Sequence, residues 1–203
     1  MKLVFATNNP VKLREINDIL LGANLSAKSL SDFGLELVPD ESGSTFEENA
    51  AIKAVETAEL LKKHGYCDLT VFSDDSGLEV EALDNMPGVD SALFMGAATP
   101  YSLRNAEIIK LLAEAGSHNR TARFVCVIAC AFPDGKVITT RAETFGEIAR
   151  EPKGLNNFGY DPIFYVPEAG KTMAELSMAE KSKLSHRGKA LRQLLSLLQS
   201  ESS

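Results

Sequence analysis

The chain alternates short apolar runs of strand type with segments that carry helical spacing, and this alternation most limits its possible folds. Leu3–Ala6 is apolar, Thr7–Pro10 is polar, and Val11–Leu21 places apolar residues at helical intervals. Thr70–Ser73 is again strand-like, and Tyr101–Ala115 is again helical. Such alternation is typical of α/β proteins, in which helices pack on a sheet.

Other segments extend the pattern. Ser44-Thr45-Phe46-Glu47 has the form of a capping box and precedes a helical stripe, which consists of Ala50, Ala54, Ala58 and Leu61. Ala122–Phe132 followed by Pro133–Lys136 and Val137–Thr144 predicts a hairpin. A last helix is expected from about His186 to Leu198. We therefore expect one domain over residues 1–203, with a twisted mixed sheet flanked by helices and two lobes around a cleft.

Composition narrows the function classes. The 203 residues are 44% hydrophobic and 24% charged, as in an ordinary globular protein, and the net charge of −7 disfavours broad binding to nucleic acid. Cys126 and Cys130 have even spacing on a predicted strand, which favours core packing over a metal pair. The apolar start is too short for a signal peptide, and no run is long enough to span a bilayer. We expect a cytoplasmic protein with no membrane partner.

Two adjacent carboxylates, Asp74 and Asp75, follow the strand-like run and precede Ser76 and Gly77. Carboxylate oxygens are ligands that Mg²⁺ prefers. Because side chains alternate along a strand, both aspartates reach one site only if the backbone turns, and Ser76-Gly77 offers a turn. The alternative interpretation is an ordinary Asx-turn at a strand end.

Four polar clusters also need an explanation, and two lie near predicted helix starts. Thr7-Asn8-Asn9-Pro10-Val11-Lys12 offers free backbone N–H groups and a lysine to an anion, or else it is an N-cap beside a solvated lysine. Asp40-Glu41, with Glu47 and Glu48, supplies acids that either bind metal or simply complement a helix dipole.

The other two clusters lie in the second half of the chain. Asn157-Phe158-Gly159-Tyr160-Asp161-Pro162 offers an aromatic ring to a flat base, or else it is a tight turn with core aromatics. Glu180–Lys183 and Ser185–Lys189 place cations at a predicted helix start. Because cations there oppose the helix dipole, their placement favours anion binding.

Several motifs, in order along nearly the whole chain, resemble those of the inosine/xanthosine triphosphate pyrophosphatases, the Ham1-like family. They are Ala6-Thr7-Asn8-Asn9 with Lys12, Thr45-Phe46-Glu47-Glu48-Asn49-Ala50, Ser73-Asp74-Asp75-Ser76-Gly77-Leu78, Phe158-Gly159-Tyr160-Asp161-Pro162-Ile163-Phe164 and Ser185-His186-Arg187-Gly188. The resemblance implies a two-lobed α/β fold with a central substrate cleft, usually a homodimer. It also implies Mg²⁺-assisted hydrolysis of ITP, dITP and XTP to monophosphate and pyrophosphate, which clears these nucleotides from the pool.

The resemblance also implies roles for residues. Asp75 is the expected proton acceptor and metal ligand, Glu41 is the candidate second ligand, and Asp74 supports the site or binds metal. Glu47 and Glu48 stay open as ligands. The expected substrate-binding residues are Thr7, Asn8, Asn9, Pro10, Val11, Lys12, Lys53, Ser76, Phe158, Gly159, Tyr160, Asp161, Lys181, His186 and Arg187.

The chain departs from the family pattern at three positions. Asn8 and Asn157 stand where glycine is frequent, and Leu93 stands where arginine is usual.

Two other functions remain as alternatives. One is a different hydrolase, either a Maf-like pyrophosphatase or a phosphomonoesterase with an aspartate nucleophile. The other is a nucleotide-binding protein without activity.

Overall fold

The computed structural model describes residues 2–116, 118–156 and 158–200. The strands are β1 (Leu3–Phe5), β2 (Ala27–Lys28), β3 (Thr70–Val80), β4 (Met86–Pro87), β5 (Thr121–Ala131), β6 (Val137–Ile148), β7 (Phe164–Val166) and β8 (Lys171–Thr172). The helices are α1 (Pro10–Leu21), α2 (Phe46–Lys63), α3 (Tyr101–Glu114), α4 (Met178–Leu184) and α5 (His186–Ser200). Asn157 lies outside the described residues.

The eight strands form one mixed sheet in the order β2-β1-β3-β5-β6-β7-β8, and β4 pairs with β3 off this path. Strand β1 runs parallel to β2 and β3. The pairs β3–β4, β6–β7 and β7–β8 are antiparallel. The predicted mixed α/β sheet is confirmed, as are the helices α1, α3 and α5.

The chain divides into two compact units, and the division falls within β3, β5 and β6. The first unit takes in the described residues up to Asp75, then Cys126–Ala142, and those from His186 onward. In its core, side chains of α1 and α5 pack with side chains of β1 and with Cys126, Ile128 and Cys130 of β5. Cys126 and Cys130 are fully buried in that core, as their even spacing predicted.

The second unit comprises Ser76–Val125 and Glu143–Ser185. In its core, side chains of α3 pack with side chains of β7 and of those parts of β3 and β5 that belong to the second unit. The rings of Phe124 and Phe164 pack with centroids 4.2 Å apart. Burial of each such aromatic or aliphatic side chain stabilises the fold by about 1.5–3 kcal/mol, so each unit has a substantial core of its own.

Helix α2 begins one residue later than the predicted capping box implies. Its N-cap is Thr45, whose hydroxyl accepts a hydrogen bond from the Glu48 amide. The Glu48 carboxylate reaches back to the amide and hydroxyl of Ser44. The assignment of Glu47 to the box was therefore wrong, because Ser44 and Thr45 can both cap and sequence alone does not choose between them.

The prediction of a turn at Ser76-Gly77 was also wrong. Strand β3 continues through the aspartate pair to Val80. The strand is buried along nearly its whole length, so its ladder hydrogen bonds and side-chain packing outweigh the turn preference of Asp, Ser and Gly.

The basic cluster near the end of the chain is divided between two helices. Lys181 and Lys183 lie in the last turn of α4, where the helix dipole favours cations. Only the residues from His186 onward begin α5. The expectation that all these cations oppose a dipole was therefore wrong for Lys181 and Lys183.

Within the described ranges, none of the helices combines the length and the apolar character that crossing a bilayer requires.

Candidate active site

The aspartate pair occupies two faces of one strand. Since successive side chains of a strand alternate, Asp74 and Asp75 of β3 point in opposite directions. Asp74 contacts cations of α1 and α5, and Asp75 contacts a cation of α2. The two carboxylates thus belong to two ionic groups within the first unit.

Asp75 shares Lys53 with Glu41. The Nζ of Lys53 lies 2.7 Å from Oδ1 of Asp75 and 3.1 Å from Oε1 of Glu41. Lys53 and Asp75 are buried, whereas the Glu41 side chain is 40% exposed. A buried lysine thus holds two carboxylates together, one in the interior and one near solvent.

The pKa values of Asp75 and Lys53 are both raised, but for different reasons. Desolvation raises the pKa of Asp75 above its ordinary value, although Lys53 opposes the shift. For Lys53, burial alone would lower the pKa, but the carboxylates of Asp75, Asp74 and Glu41 outweigh it and raise the pKa. Lys53 therefore stays charged, and Asp75 is a stronger base than a solvated aspartate.

The donor set around Asp75 fits a hard divalent cation. Oδ2 of Asp75 is buried and accepts no hydrogen bond from any described residue. A buried carboxylate oxygen without a donor is costly unless another group neutralises it. Among the described residues, no group of three or more His, Cys, Asp or Glu side chains is arranged to hold a metal ion. Mg²⁺ usually binds one or two carboxylates and takes its other ligands from water and phosphate.

Asp74 belongs to a second, more deeply buried network. Its Oδ1 accepts a hydrogen bond from Nζ of Lys12 at 3.0 Å, and its Oδ2 accepts from Nη2 of Arg187 at 3.0 Å and from Nε at 3.2 Å. Nη1 of Arg187 donates to Oε2 of Glu15 at 2.6 Å. Both Asp74 oxygens are therefore engaged by protein cations.

The ion pairs of this network keep the Asp74 carboxylate and the Arg187 guanidinium in their charged forms. Burial alone would raise the pKa of Asp74, but Lys12 and Arg187 outweigh it and hold the pKa far below the ordinary range. Burial alone would lower the pKa of Arg187, but Asp74 and Glu15 raise it. Removing one partner from such a buried group leaves an uncompensated charge, which typically costs about 3–5 kcal/mol.

Glu15 was not among the predicted site residues. It lies three residues after Lys12 on α1, so the two side chains share one face of the helix. The available sequence signal was a charged residue directly beside Ile16 on the buried stripe. That signal does not identify the partner, because Arg187 is 172 positions away in the chain.

The predicted phosphate loop caps α1. Oδ1 of Asn9 accepts hydrogen bonds from the amides of Val11 and Lys12, and Oγ1 of Thr7 accepts from the amide of Asn9. Nδ2 of Asn8 donates to the carbonyl of Leu37. The N-cap alternative is correct in its first part. Its second part is wrong, because Lys12 pairs with buried Asp74 instead of being solvated only.

The structure also separates the acids near α2. Oε1 of Glu47 accepts a hydrogen bond from Arg141 at 2.9 Å, and Glu48 caps the helix through Ser44. Of the four acids left open by the sequence, Glu41 lies within hydrogen-bond distance of Lys53, the lysine that pairs with Asp75.

In the second unit, Lys181, Asp161 and Phe158 form a polar and aromatic group. Nζ of Lys181 lies 2.6 Å from Oδ2 of Asp161, and both side chains are buried. The same nitrogen lies 5.0 Å from the centre of the Phe158 ring, which is partly exposed. This group combines a flat apolar face with a buried cation and a carboxylate.

Tyr160 has a different environment from Phe158. Its side chain is buried, its hydroxyl donates to the Ser91 carbonyl at 2.9 Å, and its ring meets Tyr101 edge to face. Gly159 adopts a left-handed backbone with φ of 60°. Of the two aromatics in this segment, Phe158 is the one that is partly exposed.

Three further predicted site residues are Ser76, which lies on β3 instead of in the predicted turn, and His186 and Pro10, which begin helices. Ser76 is partly buried on β3, directly after Asp75. His186 is buried and begins α5, next to Arg187. Pro10 is the first residue of α1.

Comparison with known proteins identifies the family to which the sequence is similar. The sequence model of the Ham1 family matches residues 3–197. The chain is 47% identical over 194 residues to the dITP/XTP pyrophosphatase of an Exiguobacterium species, covering 96% of this chain and 95% of that protein. It is 46% identical to a dITP/XTP pyrophosphatase of Thermus thermophilus, covering 96% and 90%.

Solved structures give the same result for the fold. The Ham1 protein of Staphylococcus aureus superposes with a TM-score of 0.84 at 37% identity, covering 99% of this chain and 100% of that chain. A HAM1 protein from Coxiella burnetii superposes with a TM-score of 0.85 at 39% identity, covering 98% and 99%.

Proposed function

The chain belongs to the Ham1 family, and from this premise we propose that it is a nucleoside triphosphate pyrophosphatase. Its substrates are noncanonical purine nucleotides such as dITP, ITP and XTP, and its products are the monophosphate and pyrophosphate. The observation that carries the proposal is the group of Asp75, Lys53 and Glu41, in which one buried Asp75 oxygen has no protein donor among the described residues.

Asp75 acts as the proton acceptor. Hydrolysis between the α- and β-phosphates needs a water that is oriented and deprotonated as it attacks. A carboxylate whose pKa is raised by burial binds that proton more readily than a solvated aspartate does. Lys53 keeps its charge beside Asp75 and limits the rise in the pKa of that carboxyl group.

Asp75 and Glu41 would hold Mg²⁺ through oxygens outside their ion pairs with Lys53. When bound, Mg²⁺ polarises the phosphate oxygens and neutralises charge that develops on them. Asp74 has both oxygens engaged by Lys12 and Arg187, so we assign it to positioning these cations instead of binding metal.

Three lysines supply positive charge for the phosphates and the leaving pyrophosphate. They are Lys12, Lys53 and Lys181, and the first two lie in the ionic groups around the aspartate pair. Fixed cations near the reacting phosphates stabilise the transition state because they need no reorganisation as charge develops. The segment Thr7–Lys12 would form the phosphate side of the site, and Ser76 would contact substrate beside Asp75.

The second unit's group would bind the purine. The partly exposed Phe158 ring offers a stacking face, and Asp161 offers polar atoms to the edge of the base. His186 and Arg187 of the first unit would also bind the nucleotide, with Arg187 acting through Asp74 and Glu15. Hypoxanthine and xanthine carry a 6-oxo group where adenine carries an amino group. A site that donates to this oxygen rejects adenine because its donors would be left unpaired.

We also propose that the protein works in the cytoplasm as a homodimer and clears these nucleotides from the pool. The family resemblance supports these statements, which are tested by sedimentation of the purified protein and fractionation of cells.

The primary experiment measures pyrophosphate and orthophosphate separately with dITP, ITP, XTP, GTP and ATP, in Mg²⁺ and after chelation. We expect pyrophosphate from dITP, ITP and XTP, little from GTP and ATP, and no turnover after chelation. Asp18→Asn, at an exposed position on α1, is the matched control for Asp75→Asn. Orthophosphate as the only product would favour a phosphomonoesterase, and nucleotide binding without turnover would favour a binding protein.

A further inference from the structure

The segment Phe158–Asp161 is anchored by residues that no substrate role accounts for. Nδ2 of Asn105 on α3 donates to the carbonyl of Gly159 at 3.2 Å. The Tyr160 hydroxyl donates to the carbonyl of Ser91 at 2.9 Å. Both contacts are made inside the second unit, and both fix backbone or ring positions next to Phe158.

Ser91 connects these anchors to β3. Its hydroxyl accepts a hydrogen bond from the amide of Leu78 at 2.8 Å and donates to the carbonyl of Gly88 at 2.6 Å. Leu78 lies three residues after Asp75 on the same strand. A short run of hydrogen bonds thus leads from β3 through Ser91 to Tyr160.

Arg104 fixes the segment that follows Ser91. Its side chain is buried, with Nη1 donating to the carbonyls of Ser91 and Ala92 and Nη2 donating to those of Gly96 and Ala97. The guanidinium carbon lies 4.7 Å from the centre of the Tyr101 ring. A planar group with several donors can satisfy four carbonyls at once, which a lysine cannot do.

The three anchoring side chains share one helix face. Tyr101, Arg104 and Asn105 are related by i, i+3 and i+4 spacing on the first turns of α3, so they point the same way. Tyr101 meets the Tyr160 ring with centroids 5.3 Å apart. This face, formed by Tyr101, Arg104 and Asn105, is here called the α3 platform.

We infer that the α3 platform is the positioning element of the purine-binding segment, and that Asn105 and Arg104 set base selectivity without touching the nucleotide. The inference rests on the proposed function, because it takes Phe158–Asp161 as the segment that binds the base. Gly159 needs a left-handed backbone, and the Asn105 hydrogen bond fixes the direction of its carbonyl. Phe158 and Asp161 on either side are then held in one arrangement.

A residue that positions the base-binding segment and a residue that only stabilises the fold affect different sets of ligands. Loss of the Asn105 amide removes one hydrogen bond to Gly159, which corresponds to about a threefold to tenfold change in an equilibrium constant. If the segment binds the base, that change falls on ligands that carry a base. Ligands that carry only phosphates keep their affinity.

The test uses Asn105→Ala and Tyr160→Phe, with Lys110→Gln as a control at an exposed position of the same helix. Calorimetry measures the affinity for inosine monophosphate and for inorganic tripolyphosphate. We expect inosine monophosphate to bind about threefold to tenfold more weakly in both variants, tripolyphosphate to bind unchanged, and the ratio of kcat/KM for dITP over dGTP to fall. Equal loss for both ligands, or no loss for either, would overturn the inference.

Hydrogen exchange gives a readout that does not depend on turnover. The amides of Asp161 and Ile163 donate within the segment, to Phe158 and Tyr160. They should exchange faster in Asn105→Ala than in the native protein, and unchanged exchange would contradict the anchoring. If the native protein neither binds inosine monophosphate nor hydrolyses dITP, the proposed function fails and the selectivity inference falls with it. Native turnover with an unchanged dITP preference in the variants rejects the inference alone.

Discussion

Asp74 and Asp75 are adjacent in the chain, yet their carboxylates lie on opposite faces of β3 and pair with different lysines. The two environments move their pKa values in opposite directions, upward for Asp75 and downward for Asp74. Two carboxylates whose proton affinities are pushed apart suit two different roles. Asp75 suits proton transfer, and Asp74 suits a permanent charge that positions Lys12 and Arg187.

Asp75→Asn should abolish turnover and leave the fold intact. An amide has nearly the same shape as the carboxylate but cannot accept the proton, and loss of a general base lowers kcat by about 10²–10⁴-fold. Pyrophosphate release and the thermal midpoint are measured together. Retained activity would remove Asp75 from the role of proton acceptor.

Lys53→Met should move the acidic limb of the pH profile of kcat/KM to higher pH. The limb reports the proton acceptor of the free enzyme, which is active when ionised. Lys53 lowers the pKa of Asp75, so its removal raises that pKa and protonates the base at a higher pH. Lys62→Met, exposed on the same helix, is the control. An unshifted limb with activity intact would exclude this coupling.

Asp74→Asn should destabilise the protein by about 3 kcal/mol at pH 7, since it weakens a buried ion pair. The folded pKa of Asp74 is lowered, so its stabilisation is fully present above the unfolded pKa of about 4 and is lost as pH falls below it. Urea unfolding at pH 7, 5, 4 and 3 should show the stabilities of the variant and the native protein converging in acid. A constant difference down to pH 3 would count against the linkage.

Lys12→Ala should weaken triphosphate binding more than monophosphate binding. A charge-assisted hydrogen bond to phosphate contributes about 1.5–3 kcal/mol, which corresponds to about a tenfold to hundredfold change in Kd. Calorimetry in the Asp75→Asn background allows ITP and inosine monophosphate to be compared without turnover. Equal effects on both ligands would contradict the phosphate assignment of Lys12.

Most of the fold was readable from local pattern, because α1, α3 and α5 carry helical periodicity and β5 is a continuous apolar run. Helix α4 was missed, since seven residues are too few to show a helical period. Strand β3 was cut short at Ser76-Gly77 because local turn preference was weighed without the burial that overrides it.

The sequence indicated the residue types of the candidate site, but not which of these residues contact one another. The sequence identified Asp75, Lys53 and Glu41 separately, but the lysine that joins the two carboxylates required the tertiary structure. Likewise, the contacts of the Arg187 guanidinium with Asp74 and Glu15 could not be foreseen from the sequence. Contacts between residues far apart in the chain leave no local pattern.

Strand β3 runs without interruption through Asp74 and Asp75. The role of each aspartate therefore depends on which face of the strand its position occupies. Along a strand, each position is even or odd, and a one-residue shift reverses every assignment. A single residue inserted between Leu69 and Asp74 would exchange the surroundings of the two carboxylates unless the strand bulged. An inserted pair would keep their faces but displace them along the sheet. The motif is therefore sensitive to its distance from the strand's start as well as to its composition.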